Sequence, residues 1–413
     1  MASSLADAFF DVTPPAAPMP STPIQMTSLS DYFSKLAPRI THDPGVNIKD
    51  IELVVKSEVT KLFALCNETA AVPGISALVQ KAETACEQIY KTLGVEDMHR
   101  STGLIFVDRH PMGELMSGDF VGFSHGESRL LFLCTSRSLV ANPLLHLPAL
   151  VHECVHAAGL SHWARDGAGQ LVMVRSGWGY KRGHGPFSSA NLPTFTVLEE
   201  LTAESARLIW GKENGWQQLR RWEMLDTPRS FISSSTVLKD IFALGRRIWE
   251  HPSFKPPEAL VNQKQQGWSA PPELDRCFMP YPTIFTKGPG ENGPLMPTIY
   301  DTMVNAMMGL ATEIFPEIDP QLAASHFRNE LVKAHGLGAE AQDKLLALME
   351  DKLGAELFKL IALNQQFTSN LMPHDTHIGQ DVLLLQLAAD CGALPAADRS
   401  AIRKDLANLV GLV

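Results

Sequence analysis

The sequence predicts an α+β fold: a small mixed sheet with one buried helix, joined to a separate bundle of helices. Three observations predict it. Short β-rich runs lie on both sides of an apolar helical stretch at residues 150–159. Residues 320–366 and 379–413 repeat apolar side chains at helical spacing, as four or more amphipathic helices. Between these regions, residues 252–297 hold ten prolines and several glycines, a composition that reads as an extended connection or irregular lobe.

The 413 residues suffice for two or three domains. Apolar content of 45% and charged content of 19% suit a globular chain with a sizeable core. Net charge is −10 and no basic block occurs, which argues against binding a nucleic-acid backbone. No uninterrupted apolar run reaches the ~18 residues of a membrane span. The six cysteines are scattered and form no C-x-x-C, so they read as buried free thiols in a reducing compartment.

In chain order, residues 1–45 form a Pro/Ser-rich leader, with Pro14, Pro15, Pro18, Pro20 and Pro23 close together. Such a stretch is expected to be disordered. It lacks the basic start and apolar centre of a secretory signal. It suits a cytoplasmic protein, or one exported by a signal-peptide-independent route. Residues 46–251 form the first folded domain. Helical patterns at 48–66 and 75–93 precede strand-like runs at 103–108, 119–123 and 129–134, the last two arranged as a hairpin. Runs at 170–175 and 176–181 suggest a second hairpin. A helix follows at 195–210, and residues 215–251 also read as helical. After the 252–297 connection, residues 298–413 are the helical domain, which is free to bind a partner. His374 and His377 read as polar side chains of a loop.

The apolar stretch holds the chemistry. Its text is Leu150-Val-His-Glu-Cys-Val-His-Ala-Ala-Gly159, in which His152, Glu153 and His156 spell H-E-x-x-H. Asn142-Pro143 or Leu147-Pro148 opens the helix and Gly159 closes it. With His152 at zero on a helical wheel, His156 falls at about 40° and Glu153 at about 100°. Leu150, Val151, Cys154, Val155, Ala157 and Ala158 fill the remaining face and are expected to be buried. Two imidazoles on one face suit a shared zinc ion, with Glu153 placed to take a proton from a water that the metal activates.

Two residues compete for a third metal ligand. His162 extends the text to H-E-x-x-H-x-x-G-x-x-H, the metzincin pattern. That family also has a Met-turn, and neither Met173, in a strand-like run, nor Met224, in a helix-like one, reads as such a turn. Glu200 is the favoured candidate. On the 195–210 helix, Glu200, Glu204 and Arg207 lie within about 60° of one face. Val197, Leu198, Leu201, Leu208 and Ile209 form the adjoining apolar face, and Glu199 points elsewhere.

H-E-x-x-H followed by a second helix with Leu-Glu-Glu-Leu-Thr-Ala-Glu resembles the zincin metallopeptidases of gluzincin type. The likeness includes Arg175-Ser176-Gly177 and the glycine-rich loop that follows, and it covers roughly residues 100–210. Glu199 stands where that family has Asn, and Ala203 where it has Thr. The resemblance implies a zincin-like domain and a zinc-dependent peptidase. His152, His156 and Glu200 would hold Zn2+, with Glu153 as general base and Glu204 orienting a ligand histidine. Tyr180 and His184, in the intervening loop, are candidates for transition-state support. The substrate would be a protein or peptide. A second class of function is a catalytically silent binding protein on the same scaffold, an exported effector included; the intact Glu153 argues against it.

Overall fold

The structure is a computed structural model. It describes residues 33–34, 37–65, 75–95, 104–107, 122–124, 131–134, 147–214 except 182 and 188–193, 243–254 except 246 and 249, 307–363 except 308, and 388–409. The leader before residue 33, most of 215–251, residues 255–297 of the connection and His374–His377 lie outside the described residues.

The elements run β1 (Ile40–His42), α1 (Ile48–Leu65), α2 (Ile75–Thr92), β2 (Leu104–Val107), β3 (Gly122–Ser124), β4 (Leu131–Cys134), α3 (Leu147–Ala158), β5 (Ser161–Arg165), β6 (Leu171–Ser176), β7 (Gly179–Tyr180) and α4 (Thr196–Asn214). Then come α5 (Ala311–Ile314), α6 (Pro320–Leu337), α7 (Ala339–Leu353), α8 (Ala355–Leu363) and α9 (Ala396–Leu409). The fold is mixed α+β and mostly helical, with a four-stranded sheet of order β1-β5-β6-β7 and a three-stranded sheet of order β2-β4-β3. No helix among the described residues is long and apolar enough to cross a membrane.

The described residues fall into two compact units, one within Met1–Gly177 and Ala206–Leu219, the other within Trp178–Ser205 and Arg220–Val413. In the first, α3 packs against α2 and against β3 and β4. The wheel over 150–158 is realised: Leu150, Val151, Cys154, Val155, Ala157 and Ala158 are all buried. They share this unit with Ile51, Val55 and Val59 of α1 and Leu78, Ala82, Ile89 and Tyr90 of α2, which are also buried. Pro148 lies in the first turn of α3, where a missing N–H costs nothing.

Two strands differ from the sequence reading. Ser161–Arg165 shows no apolar alternation, because Ser161 and Trp163 are its inward residues. It is nevertheless β5, parallel to β1 and antiparallel to β6. Ile40–His42 lies inside the segment read as leader, yet it forms β1 against β5. Arg39 ties the same stretch down by donating to the Ala158 carbonyl at 2.6 Å. The expected hairpin around residues 119–134 is realised in its shortened form, with Phe123 opposite Phe132.

In the second unit, β7 and the start of α4 pack with the C-terminal helices. Phe195 is fully buried at the entrance to α4 and has φ 58°, a conformation that a bulky residue rarely adopts. Its surroundings impose it. The Phe195 N–H donates to the Ala362 carbonyl at 2.7 Å, and its ring centroid lies 5.6 Å from that of Phe358 in α8. The Phe195 carbonyl accepts from the N–H groups of Leu198 and Glu199, which begins the helix. Phe327 and Leu331 of α6, Met349 of α7 and Leu406 of α9 are fully buried in the same unit. Arg403 of α9 joins it through a two-armed ion pair to Glu313 at 2.8 and 3.1 Å.

Phe195→Ala removes the ring that seats the start of α4. Chemical denaturation is expected to show a loss of about 3–5 kcal/mol, the range for a buried Phe truncation. A loss below about 1 kcal/mol would mean that Phe195 does not anchor the helix.

Candidate metal centre

α3 presents His152 and His156 one turn apart. His152 is buried, and Glu153 and His156 are half-buried. The two Nε2 atoms stand 3.1 Å apart, with the rings edge-on at 75°. A tetrahedral zinc with Zn–N of about 2.05 Å separates two ligand nitrogens by about 3.3 Å. The pair therefore stands close to ligand spacing.

The helix expected to carry a third donor is α4. It is buried more completely than its pattern suggested. Residues 201–207 are all buried, including Glu204 and Arg207, which a solvated acidic face would expose. Leu208 and Ile209, read as apolar-face residues, are only half-buried. Glu200 is half-buried.

His152, His156 and Glu200 each offer one ligand atom, and the three atoms lie within 4.8 Å of one another. This group can hold a metal ion. Its chemistry fits one: two imidazole nitrogens and a carboxylate oxygen form a donor set that zinc accepts readily.

His162 is placed differently. It lies on β5, where Nε2 donates to the Asp43 carboxylate at 3.1 Å and Nδ1 lies 2.9 Å from the Thr41 hydroxyl. It does not join the three-donor group. Met173 lies within β6 and is buried, so it is part of a strand and not of a turn. Tyr180 is on β7, with its ring 6.3 Å from that of Phe195 and stacked close over Gly185. Gly185, at φ 79°, has no room for a side chain beside that ring. The His184 N–H donates to the Lys181 carbonyl at 3.1 Å.

Cys154 sits between the two histidines of α3. Burial pushes its thiol well above the ordinary range, and the neighbouring Cys86, Glu83 and Glu153 push the same way. Burial likewise raises Cys86, to about 12. Both thiols stay protonated near neutral pH in the metal-free chain, which leaves them poor nucleophiles. Among the described residues, Cys86, Cys154 and Cys391 are free and buried, as the scattered pattern implied.

Glu199 was read as pointing away from the acidic face, without a role. Its carboxylate accepts the Trp178 backbone N–H at 2.8 Å and the ring N–H of His335 at 3.3 Å. Its place beside Glu200 is visible in the sequence; nothing there marks His335, 136 residues away.

Among known proteins, no family model, no curated protein and no solved structure matches this chain.

Glu200→Ala removes one of the three donors, whereas His162→Ala removes none. Competition against a zinc chelator is expected to show affinity lowered by more than about 100-fold in the first variant, beyond the usual outer-shell effect. The second should bind as the unaltered protein does. The reverse order would place His162 in the coordination set.

Proposed function

We propose that this chain is a zinc-dependent peptidase with a zincin-like catalytic region. The observation that carries the reading is the convergence of His152, His156 and Glu200, with Glu153 on the same helix as the two histidines. These three residues would hold the ion. When bound, zinc supplies a Lewis acid and brings the pKa of water toward neutrality.

The chain's own residues do the rest. Glu153 follows His152 on α3 and is half-buried, so part of its side chain stays accessible while the apolar face stays packed. It accepts a proton from the attacking water as that oxygen adds to the peptide carbonyl. It then delivers the proton to the amine nitrogen as the C–N bond breaks. Glu204, buried one turn beyond Glu200, orients a ligand imidazole in this reading. Tyr180 and His184 are the candidates for supporting the developing oxyanion.

An extended substrate needs a strand edge to pair with. Among the described residues β3 ends the three-stranded sheet, and α3 packs against it. β2 is the other outer strand; in this reading a peptide would lie as an added strand on β3, the one that α3 packs against. The substrate class is a protein or peptide in extended conformation.

Glu153→Gln keeps the size of the side chain and removes its basicity. The variant is expected to bind zinc with the same stoichiometry and to lose about 100- to 10,000-fold in turnover of an unfolded protein substrate. Undiminished cleavage would rule out Glu153 as the base. Zinc binding without any cleavage by the unaltered protein would instead favour a binding protein on the same scaffold.

A further inference from the structure

Glu199 and Glu200 are neighbours in the first turns of α4, and consecutive helical residues point about 100° apart. Fixing the direction of one therefore fixes the direction of the other. Glu199 is held from two sides. Oε2 accepts the Trp178 backbone N–H at 2.8 Å, and Oε1 accepts from His335 Nε2 at 3.3 Å. A carboxylate offers only acceptors, so Nε2 of His335 carries the proton. His335 is completely buried in the last turn of α6, and Glu199 is nearly so, with 14% of its side chain exposed. All of these residues belong to one compact unit, together with Glu200 itself.

We infer that His335 is a positioning residue for the metal centre: through Glu199 it sets the rotation of the first turns of α4, and with it the direction of the Glu200 carboxylate. The inference rests on Glu200 being the third ligand. It assigns the helices after residue 307 a part in metal binding, as the frame that holds one ligand in place. Phe195 fixes where α4 starts, through Ala362 and Phe358; the Glu199–His335 contact fixes which way it faces. Neither His335 nor Glu199 touches the ion, and neither is a catalytic residue.

The test uses the full chain and reads metal binding, not activity. His335→Leu keeps an apolar volume and removes the donor; His335→Gln restores an N–H near the position of Nε2. Zinc affinity is measured by chelator competition, and ligand geometry by the visible spectrum of the cobalt-loaded protein. Thermal unfolding of the metal-free variants reports the fold separately. His335→Leu is expected to bind zinc about 10- to 100-fold more weakly, the range for outer-shell partners, and to shift the cobalt bands. His335→Gln is expected to recover most of both. If His335→Leu fails to fold, Glu199→Gln carries the same expectation, because it removes one of the two acceptors at nearly constant size. Unchanged zinc affinity and cobalt bands in the folded variant overturn the inference, whatever its melting temperature. So does a His335→Gln variant as weak as His335→Leu. Glu200→Ala separates the two levels. If it binds zinc normally, the ligand assignment fails; if it loses zinc while His335→Leu keeps it, only the role of His335 fails.

Discussion

Two imidazole nitrogens 3.1 Å apart on a helix whose other face is apolar and buried set the terms for the rest of the structure. The helix must be buried because Leu150, Val151, Val155 and Ala158 belong in a core. The packed apolar face leaves the two imidazoles side by side, at a spacing that a shared divalent ion would accept, and the ligand atom of Glu200 lies within 4.8 Å of theirs. Cys154, between the histidines, is buried as well, which holds its thiol protonated in the metal-free chain.

The third donor comes from a helix whose placement depends on other parts of the chain. Phe195 enters α4 in an unfavourable backbone conformation, held by α8. Glu199, one residue before the donor, is gripped by Trp178 and His335. Residues 178–205 therefore belong to one compact unit with the C-terminal helices, although in sequence they follow directly on β6. A helix that must deliver one carboxylate in one direction gains from attachments at both its start and its first turn.

Much of this was legible in the sequence, and the rest was hidden for identifiable reasons. The face of α3 was readable because its apolar residues follow the 3.6-residue period without exception. His152, His156 and Glu200, whose ligand atoms lie within 4.8 Å of one another, were readable as candidates from helical spacing, with His162 as the competing third. β5 was not, since Ser161 faces inward and Arg165 outward in a five-residue strand, too short and too polar for alternation to show. β1 was hidden by the Pro/Ser-rich composition before it, although three residues and Arg39 suffice to dock it. The depth of α4 was not legible, because Glu204 and Arg207 have the side chains of solvent-facing residues and are nevertheless buried. His335 could not be found at all: a contact spanning 136 residues leaves no local pattern.

The central claim is a centre of two imidazoles and one carboxylate, and X-ray absorption at the zinc K-edge of the zinc-loaded full-length chain tests it most directly. The predicted result is one zinc per chain with only nitrogen and oxygen neighbours at about 2.0–2.2 Å, and the outer-shell scattering of two imidazole rings. A sulfur neighbour at about 2.3 Å, scattering from three imidazoles, or no stoichiometric zinc would contradict it.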